Sequence, residues 1–222
     1  MAAKQNTMQK SLDDYRKSYG KCELLEDNIP SFPLPLFTAW FEEAEEHPEI
    51  AEVNAMSLAT CGIEGFPKNR IVLLKSFGEM GFSFYTNYNS EKARDIEENP
   101  RVCLSFFWPP LERQVIIKGV AMKTTEEESA AYFGSRPRGS QLGAWASNQS
   151  NVLSSREELE EQLKEIEERY QNKDVDKPPH WGGYLVTPRS FEFWQGRNNR
   201  LHDRIIYEFI EQDTWERNRL AP

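Results

Sequence analysis

The sequence predicts a mainly β protein with flanking helices, folded as an antiparallel barrel in one domain. Short runs rich in β-branched and aromatic residues recur along the chain, and tight turn signals join several of them. Few helical stretches stand between the runs, so hairpin-like antiparallel pairing fits better than parallel crossovers.

Residues 1–30 are polar and are expected to form a flexible arm, apart from the cluster Tyr15-Arg16-Lys17-Ser18-Tyr19. Residues 31–222 are expected to form the folded domain. Prolines 30, 33 and 35 lead into LFTAWFEEAEEH, where Leu36, Phe37, Trp40, Phe41 and Ala44 make one helical stripe. Strand runs follow at VNAMSLATC, NRIVLLKSF and FSFYTN, split by GIEG and GEMG. SEKARDIEENP reads as a polar helix with Ser90 as its N-cap. Strands resume with RVCLSFFW and RQVIIKGVAMK around a turn at PPLE. Thr125-x-x-Glu128 is a capping box that opens a helix. SRPRGSQLGAWASNQS reads as irregular, and Ser155-x-x-Glu158 opens a further helix carrying Leu159, Leu163, Ile166 and Tyr170. GGYLVTP, SFEFWQG and DRIIYEFI complete the strands.

Composition narrows the function. The net charge is −9, which argues against general binding to nucleic acid or anionic membranes, so an anionic ligand must meet a local cation cluster. No run approaches the about 20 apolar residues of a membrane span, and the N-terminus lacks a signal-peptide core. Cys22, Cys61 and Cys103 have no CxxC spacing, which points to reduced thiols in the cytoplasm. His47, His180 and His202 are too scattered for an obvious metal site, so no metal is expected.

Four cation clusters stand out. In Arg70-Ile-Val-Leu-Leu-Lys75, alternation puts Lys75 at the end of an apolar face with Ile71 and Leu73. It either meets a ligand or is a rim lysine reaching water. Tyr85-Thr86-Asn-Tyr-Asn-Ser90-Glu91-Lys92 places a lysine at a helix start, where free N–H groups suit phosphate. Glu91 favours the plainer reading, because an acidic residue there already suits the helix dipole. Tyr132-Phe-Gly-Ser-Arg136-Pro-Arg138-Gly-Ser140 gathers guanidinium forks and hydroxyls suited to phosphate oxygens. In FWQGRNNRLHDR, Arg200, His202 and Arg204 alternate along an expected strand after a glycine turn, beside Trp194. That row either faces water or covers an anionic, aromatic ligand. No GxxxxGK[ST], GxGxxG, GxSxG or HExxH motif competes.

From about Arg16 to Pro222 the chain resembles the pyridoxine (pyridoxamine) 5′-phosphate oxidase family. The motifs that carry the resemblance are RIVLLK, FYTN, LERQV, YFGSRPRGSQLGAWAS, NQS, WGGY, EFWQG, RLHDR and RLAP. The resemblance implies a homodimer of FMN-binding split β-barrels with two flavin sites at the subunit interface. It implies that Arg70, Ile71, Val72, Leu73 and Lys75 lie along FMN, with Lys75 also holding the substrate phosphate. Tyr85 and Thr86 would flank the flavin, and Lys92, Gln149 and Ser150 would hold its phosphate and ribityl ends. Gln114 would meet the isoalloxazine edge, with Trp194 and Arg204 completing the site. Tyr132, Arg136 and Ser140 would join Lys75 at the substrate phosphate. Arg200 and His202 would be the catalytic pair over the substrate ring, and Arg16 and Tyr19 would belong to a segment near residues 14–19 that closes over the substrate.

The implied reaction is oxidation of pyridoxamine or pyridoxine 5′-phosphate to pyridoxal 5′-phosphate, with dioxygen as acceptor and hydrogen peroxide as product. One position departs from the family: Glu91 stands where an arginine usually meets the FMN phosphate. Weakened but not abolished FMN binding is expected from it. Two rivals are a non-catalytic flavin or pyridoxal-phosphate binding protein of the same fold, and another flavin reductase on the same barrel. The intact substrate-phosphate set argues for the oxidase.

Overall fold

Helix α1 (Pro33–Glu46) starts on prolines, whose fixed φ suits a first turn, and buries Leu36, Phe37, Trp40 and Ala44. Phe37 packs edge-on against Phe77, Phe82 and Phe106 at centroid distances of 5.0, 5.0 and 5.2 Å, so this helix covers the core. The structure is a computed structural model and describes residues 18–211 and 214–222.

Among the described residues nine strands form one antiparallel sheet: β1 (Ala55–Cys61), β2 (Pro67–Leu73), β3 (Ser76–Gly78), β4 (Gly81–Asn87), β5 (Arg101–Trp108), β6 (Arg113–Lys123), β7 (Trp181–Gln195), β8 (Asp203–Phe209) and β9 (Trp215–Leu220). The order runs β2-β1-β5-β6-β7. The first half of β7 then pairs with β4, and its second half with β8. The Lys75 N–H donates to the Ser83 carbonyl (2.8 Å), which brings the end of β2 to β4 and curls the sheet into a half-barrel. Buried positions alternate along β1, β5 and β6, so Met56, Leu58, Leu104, Phe106, Val115 and Ile117 line the interior. Each such side chain contributes about 1.5–3 kcal/mol of burial free energy.

Three sequence expectations need correction. GGYLVTP and SFEFWQG are one strand, β7, because a register shift at Lys118/Gly119 absorbs Pro188, which has no N–H to give a ladder. The stretch read as irregular contains helix α4 (Arg138–Ala146), whose Leu142 and Ala146 are buried despite Gly139 and Gly143. Packing overrides propensity there: Leu142 joins Phe133, Tyr170, Val175 and Trp181 in a second apolar cluster. β9 was not anticipated, since WERNRL has little apolar character; Trp215 anchors it against Phe191 at 5.5 Å.

Helices α2 (Glu91–Glu98), α3 (Glu126–Ser135) and α5 (Arg156–Arg169) sit where the sequence puts them. The capping box closes α3, with Glu128 N–H donating to Thr125 Oγ1 (3.1 Å) and Thr125 N–H to Glu128 (2.9 Å). Residues 18–30, assigned to the arm, run along the barrel. Gly20 N–H donates to Glu112 (2.8 Å), Leu24 N–H to Asp203 (3.1 Å), and Arg219 pairs with Glu26. Among the described residues no helix is long and apolar enough to cross a membrane.

Candidate active site

Tyr85 and Thr86 stand near the end of strand β4, and opposite them on β7 stand Gly183 and Gly182. A Cβ on Gly183 would lie 2.7 Å from a Tyr85 ring carbon, and one on Gly182 would collide with the Tyr88 ring. The glycine pair therefore lets aromatic rings lie flat across β7. Tyr85 stacks on Tyr132 of α3 at 4.0 Å and on Trp181 at 5.4 Å. The Arg136 guanidinium lies over Trp181 at 4.6 Å, and Lys75 Nζ is 6.0 Å from the Tyr132 ring. These rings and cations wall a cavity of about 620 Å³, with Ser140 on its edge.

Arg136 Nη1 is buried and has no hydrogen-bond partner among the described residues. A guanidinium N–H left unmet is costly, and burial lowers the Arg136 pKa for the same reason. An anionic oxygen in the cavity would meet it. Arg138, two residues on, does different work: it donates to the carbonyls of Lys173 (2.9 Å) and Tyr170 (2.8 Å) and ties α4 to the end of α5.

Lys92 forms the second cationic grouping. It is 9% exposed, and its ammonium donates to Thr86 Oγ1 (3.2 Å), Ser90 Oγ (3.2 Å) and Gln149 Oε1 (3.0 Å). All three acceptors are neutral. Desolvation, and then the Arg70 charge, pull its pKa down to about 8. A buried ammonium with only neutral acceptors is a receptor for an anion. Ser90 stands at the N-cap position of α2 but makes no side-chain cap; its Oγ accepts from the Lys92 ammonium. Ser150 takes over part of that task, accepting the Glu91 N–H at 3.2 Å.

The same cavity wall includes Ile71, Val72 and Leu73 of β2. Eleven of the expected residues thus meet there: these three with Lys75, Tyr85, Thr86, Lys92, Tyr132, Arg136, Ser140 and Gln149. Arg70 does not line it. Its Nη1 donates to the Leu58 carbonyl (3.1 Å) and Thr60 Oγ1 (2.6 Å), and its Nη2 is 3.8 Å from Asp95.

A second group lies apart, at the far end of β7. Gln114, Trp194 and Arg204 are neighbours in register across β6, β7 and β8. The His202 ring sits 4.6 Å from Trp194, and Tyr19 meets both, at 5.8 Å from Trp194 and 5.7 Å from His202. The expected alternation of Arg200, His202 and Arg204 along one strand is not found. Asn199 and Arg200 have positive φ (56° and 63°), so residues 198–200 make a tight turn and β8 begins only at Asp203. His202 Nδ1 accepts the Arg197 N–H (3.0 Å), which puts a ring proton on Nε2. Arg204 pairs with Glu192 (2.7 Å) and donates to the Ala221 carbonyl (2.8 Å), and Gln114 donates to Ser105 Oγ (3.1 Å). None of this group lines the cavity, and Arg16 falls outside the described residues.

Sequence reasoning missed Asn87, Ser147 and Trp181 in the cavity wall. Trp181 had a signal, since it opens the WGGY motif, whereas Asn87 and Ser147 had none beyond their neighbours.

A curled antiparallel half-barrel with flanking helices is the FMN-binding split β-barrel fold. A solved structure of PhzG from Burkholderia lata, in complex with tetrahydrophenazine-1-carboxylic acid, superposes with a TM-score of 0.84 at 28% identity, covering 92% of this chain and 100% of that one. A pyridoxamine 5′-phosphate oxidase-related, FMN-binding protein from Nostoc punctiforme shares the fold at 17% identity, with a TM-score of 0.68 over 86% of this chain and 98% of that one.

The family follows from the sequence matches. Residues 42–170 match the pyridoxamine 5′-phosphate oxidase family, and residues 181–222 match the pyridoxine 5′-phosphate oxidase C-terminal dimerisation region. The chain is 59% identical over 210 residues to the pyridoxine/pyridoxamine 5′-phosphate oxidase of Flavobacterium johnsoniae, covering 95% of this chain and 98% of that one. It is 54% identical over 215 residues to the enzyme of that name from Christiangramia forsetii, covering 97% and 100%. The chain belongs to the pyridoxamine 5′-phosphate oxidase family.

Proposed function

We propose that the protein is an FMN-dependent oxidase that converts pyridoxamine 5′-phosphate and pyridoxine 5′-phosphate to pyridoxal 5′-phosphate in vitamin B6 metabolism. It is an oxidoreductase that takes electrons from the CH–NH2 carbon of the amine substrate and passes them to oxygen. The observation that carries this reading is one cavity with two cationic groupings around stacked rings: Lys92 among neutral acceptors, and Arg136 with an unmet N–H. Two phosphorylated, flat ligands need that combination.

The residues fit FMN. Lys92, Thr86, Gln149 and Ser150 hold its phosphate end, and Tyr85 with the β2 segment Ile71–Leu73 lies along it. FMN held there would supply the hydride-acceptor chemistry of the reaction, with dioxygen as the final acceptor and hydrogen peroxide as product. Lys75, Tyr132, Arg136 and Ser140 hold the substrate phosphate and so fix the distance of the reacting carbon. Arg200 and His202 cover the substrate ring, with His202 Nε2 as the donor, while Gln114, Trp194 and Arg204 complete the flavin site. Arg16 and Tyr19 close over the substrate.

This second group reaches the cavity from the other subunit of a homodimer. Residues 181–222 match a dimerisation region, and Trp194, Arg200, His202 and Arg204 all lie within it. The three cysteines are free, as suits a reducing cytoplasm. The test is to supply the purified protein with FMN and pyridoxamine 5′-phosphate in air. Pyridoxal 5′-phosphate and hydrogen peroxide should appear in equal amounts. A protein that binds both ligands and yields neither product would be a binding protein instead.

A further inference from the structure

The phosphate end of the cavity carries a carboxylate at its rim. Glu91 is the first residue of α2 and the chain neighbour of Lys92. The positive N-terminal field of α2 attracts any nearby anion, so Glu91 and a phosphate compete for it. Yet Glu91 does not line the main cavity. It faces a second hollow of about 470 Å³, whose wall includes Lys68, Arg94 and Asp95. There its carboxylate is ion-paired with Lys68 of β2.

Lys68 alternates with Arg70 along β2, and both lean toward α2: Arg70 approaches Asp95 and Lys68 takes Glu91. The Lys68 and Glu91 side chains are 56% and 42% exposed, so the pair adds little to stability. Its consequence is the direction and charge of Glu91. The Lys68 hydrogen bond, more than any other influence, holds the Glu91 carboxyl below its ordinary range. Without Lys68 the ionised carboxylate would lose its direct partner, with Arg70 and Arg94 acting on it only through their charge, and it could turn toward the Lys92 ammonium, which is held by the neutral acceptors Thr86, Ser90 and Gln149.

We propose that Lys68 is a positioning residue for cofactor binding: it draws Glu91 toward the second hollow and offsets part of its charge, leaving the phosphate end of the cavity open to an anion. This rests on the reading of the Lys92 grouping as the flavin-phosphate site. It assigns a binding role to a side chain that touches neither ligand, and it explains how an acidic residue stands beside a phosphate receptor.

The test is fluorescence titration of the flavin-free full chain with FMN and, separately, with riboflavin, which lacks the phosphate. Lys68→Met should raise the Kd for FMN by about threefold or more at low salt, and leave riboflavin unchanged. Glu91→Gln should bind FMN at least as tightly as the parent, and the double variant should match Glu91→Gln. A smaller effect of Lys68→Met, an equal loss for riboflavin, or a double variant as weak as Lys68→Met would each overturn the proposal. Lys92→Met is the control: if it does not weaken FMN relative to riboflavin, the site reading is what fails.

Discussion

The cavity beside β4 and the patch on β7 and β8 use similar side chains in opposite states. In the cavity, Lys92 is buried among neutral oxygens, and Arg136 is stacked on Trp181 with an N–H unmet. On the patch, Arg204 is already paired with Glu192, Arg200 is exposed in a tight turn, and His202 leans on Trp194. One region holds its cations, among the described residues, with no anionic partner, a state that an anionic ligand would relieve. The other holds an aromatic surface with satisfied or solvated charges, in the segment that matches a dimerisation region. On the proposed function, that difference means one chain would preorganise the phosphate contacts and supply the ring contacts to its partner.

Breaking the patch should have the largest effect on turnover. Arg200→Ala or His202→Ala should lower kcat/KM for pyridoxamine 5′-phosphate by about 2–4 kcal/mol, while the protein keeps FMN and its fold. Loss of FMN with unchanged kinetics in the remainder would place these residues elsewhere. Next comes the cavity: Arg136→Met should raise KM by roughly 10- to 100-fold, because a charge-assisted contact contributes about 1.5–3 kcal/mol. FMN affinity should be unchanged, as read by flavin fluorescence.

A milder probe of the cavity is pH. Lys92 has its pKa lowered to about 8, so it is an ammonium below that pH and a neutral amine above it. If the flavin phosphate meets this ammonium, as the proposed function has it, FMN affinity should fall roughly tenfold between about pH 7 and 9. Riboflavin affinity should stay flat; a parallel fall for both would remove Lys92 from the phosphate site. The smallest effect sharpens the contrast within one loop. Arg138→Ala should cost about 1 kcal/mol of stability in thermal unfolding, since it braces two carbonyls, and leave kcat/KM within about twofold.

Much of this was legible in the sequence. Strands β5 and β6 could be read because alternation and turn signals agree with their burial, and α3 because its capping box is local chemistry. Helix α4 was hidden, since its glycines argue for a loop and only the packing of Leu142 against a distant cluster overrules them. The row at 200–204 failed because period-2 reasoning assumes extended backbone, and Asn199 and Arg200 leave it. Arg136 and Arg138 looked equivalent two residues apart, and only the ring of Trp181, 43 residues after Arg138, separates their roles.

The most direct test of a site shared between two chains is complementation. Arg136→Met and His202→Ala chains, carrying different tags, are co-expressed and the mixed dimer is isolated. One of its sites carries both substitutions and the other carries neither, so the mixed dimer should show about half the wild-type activity. Activity no higher than the average of the two parent variants would show that each chain builds its site alone.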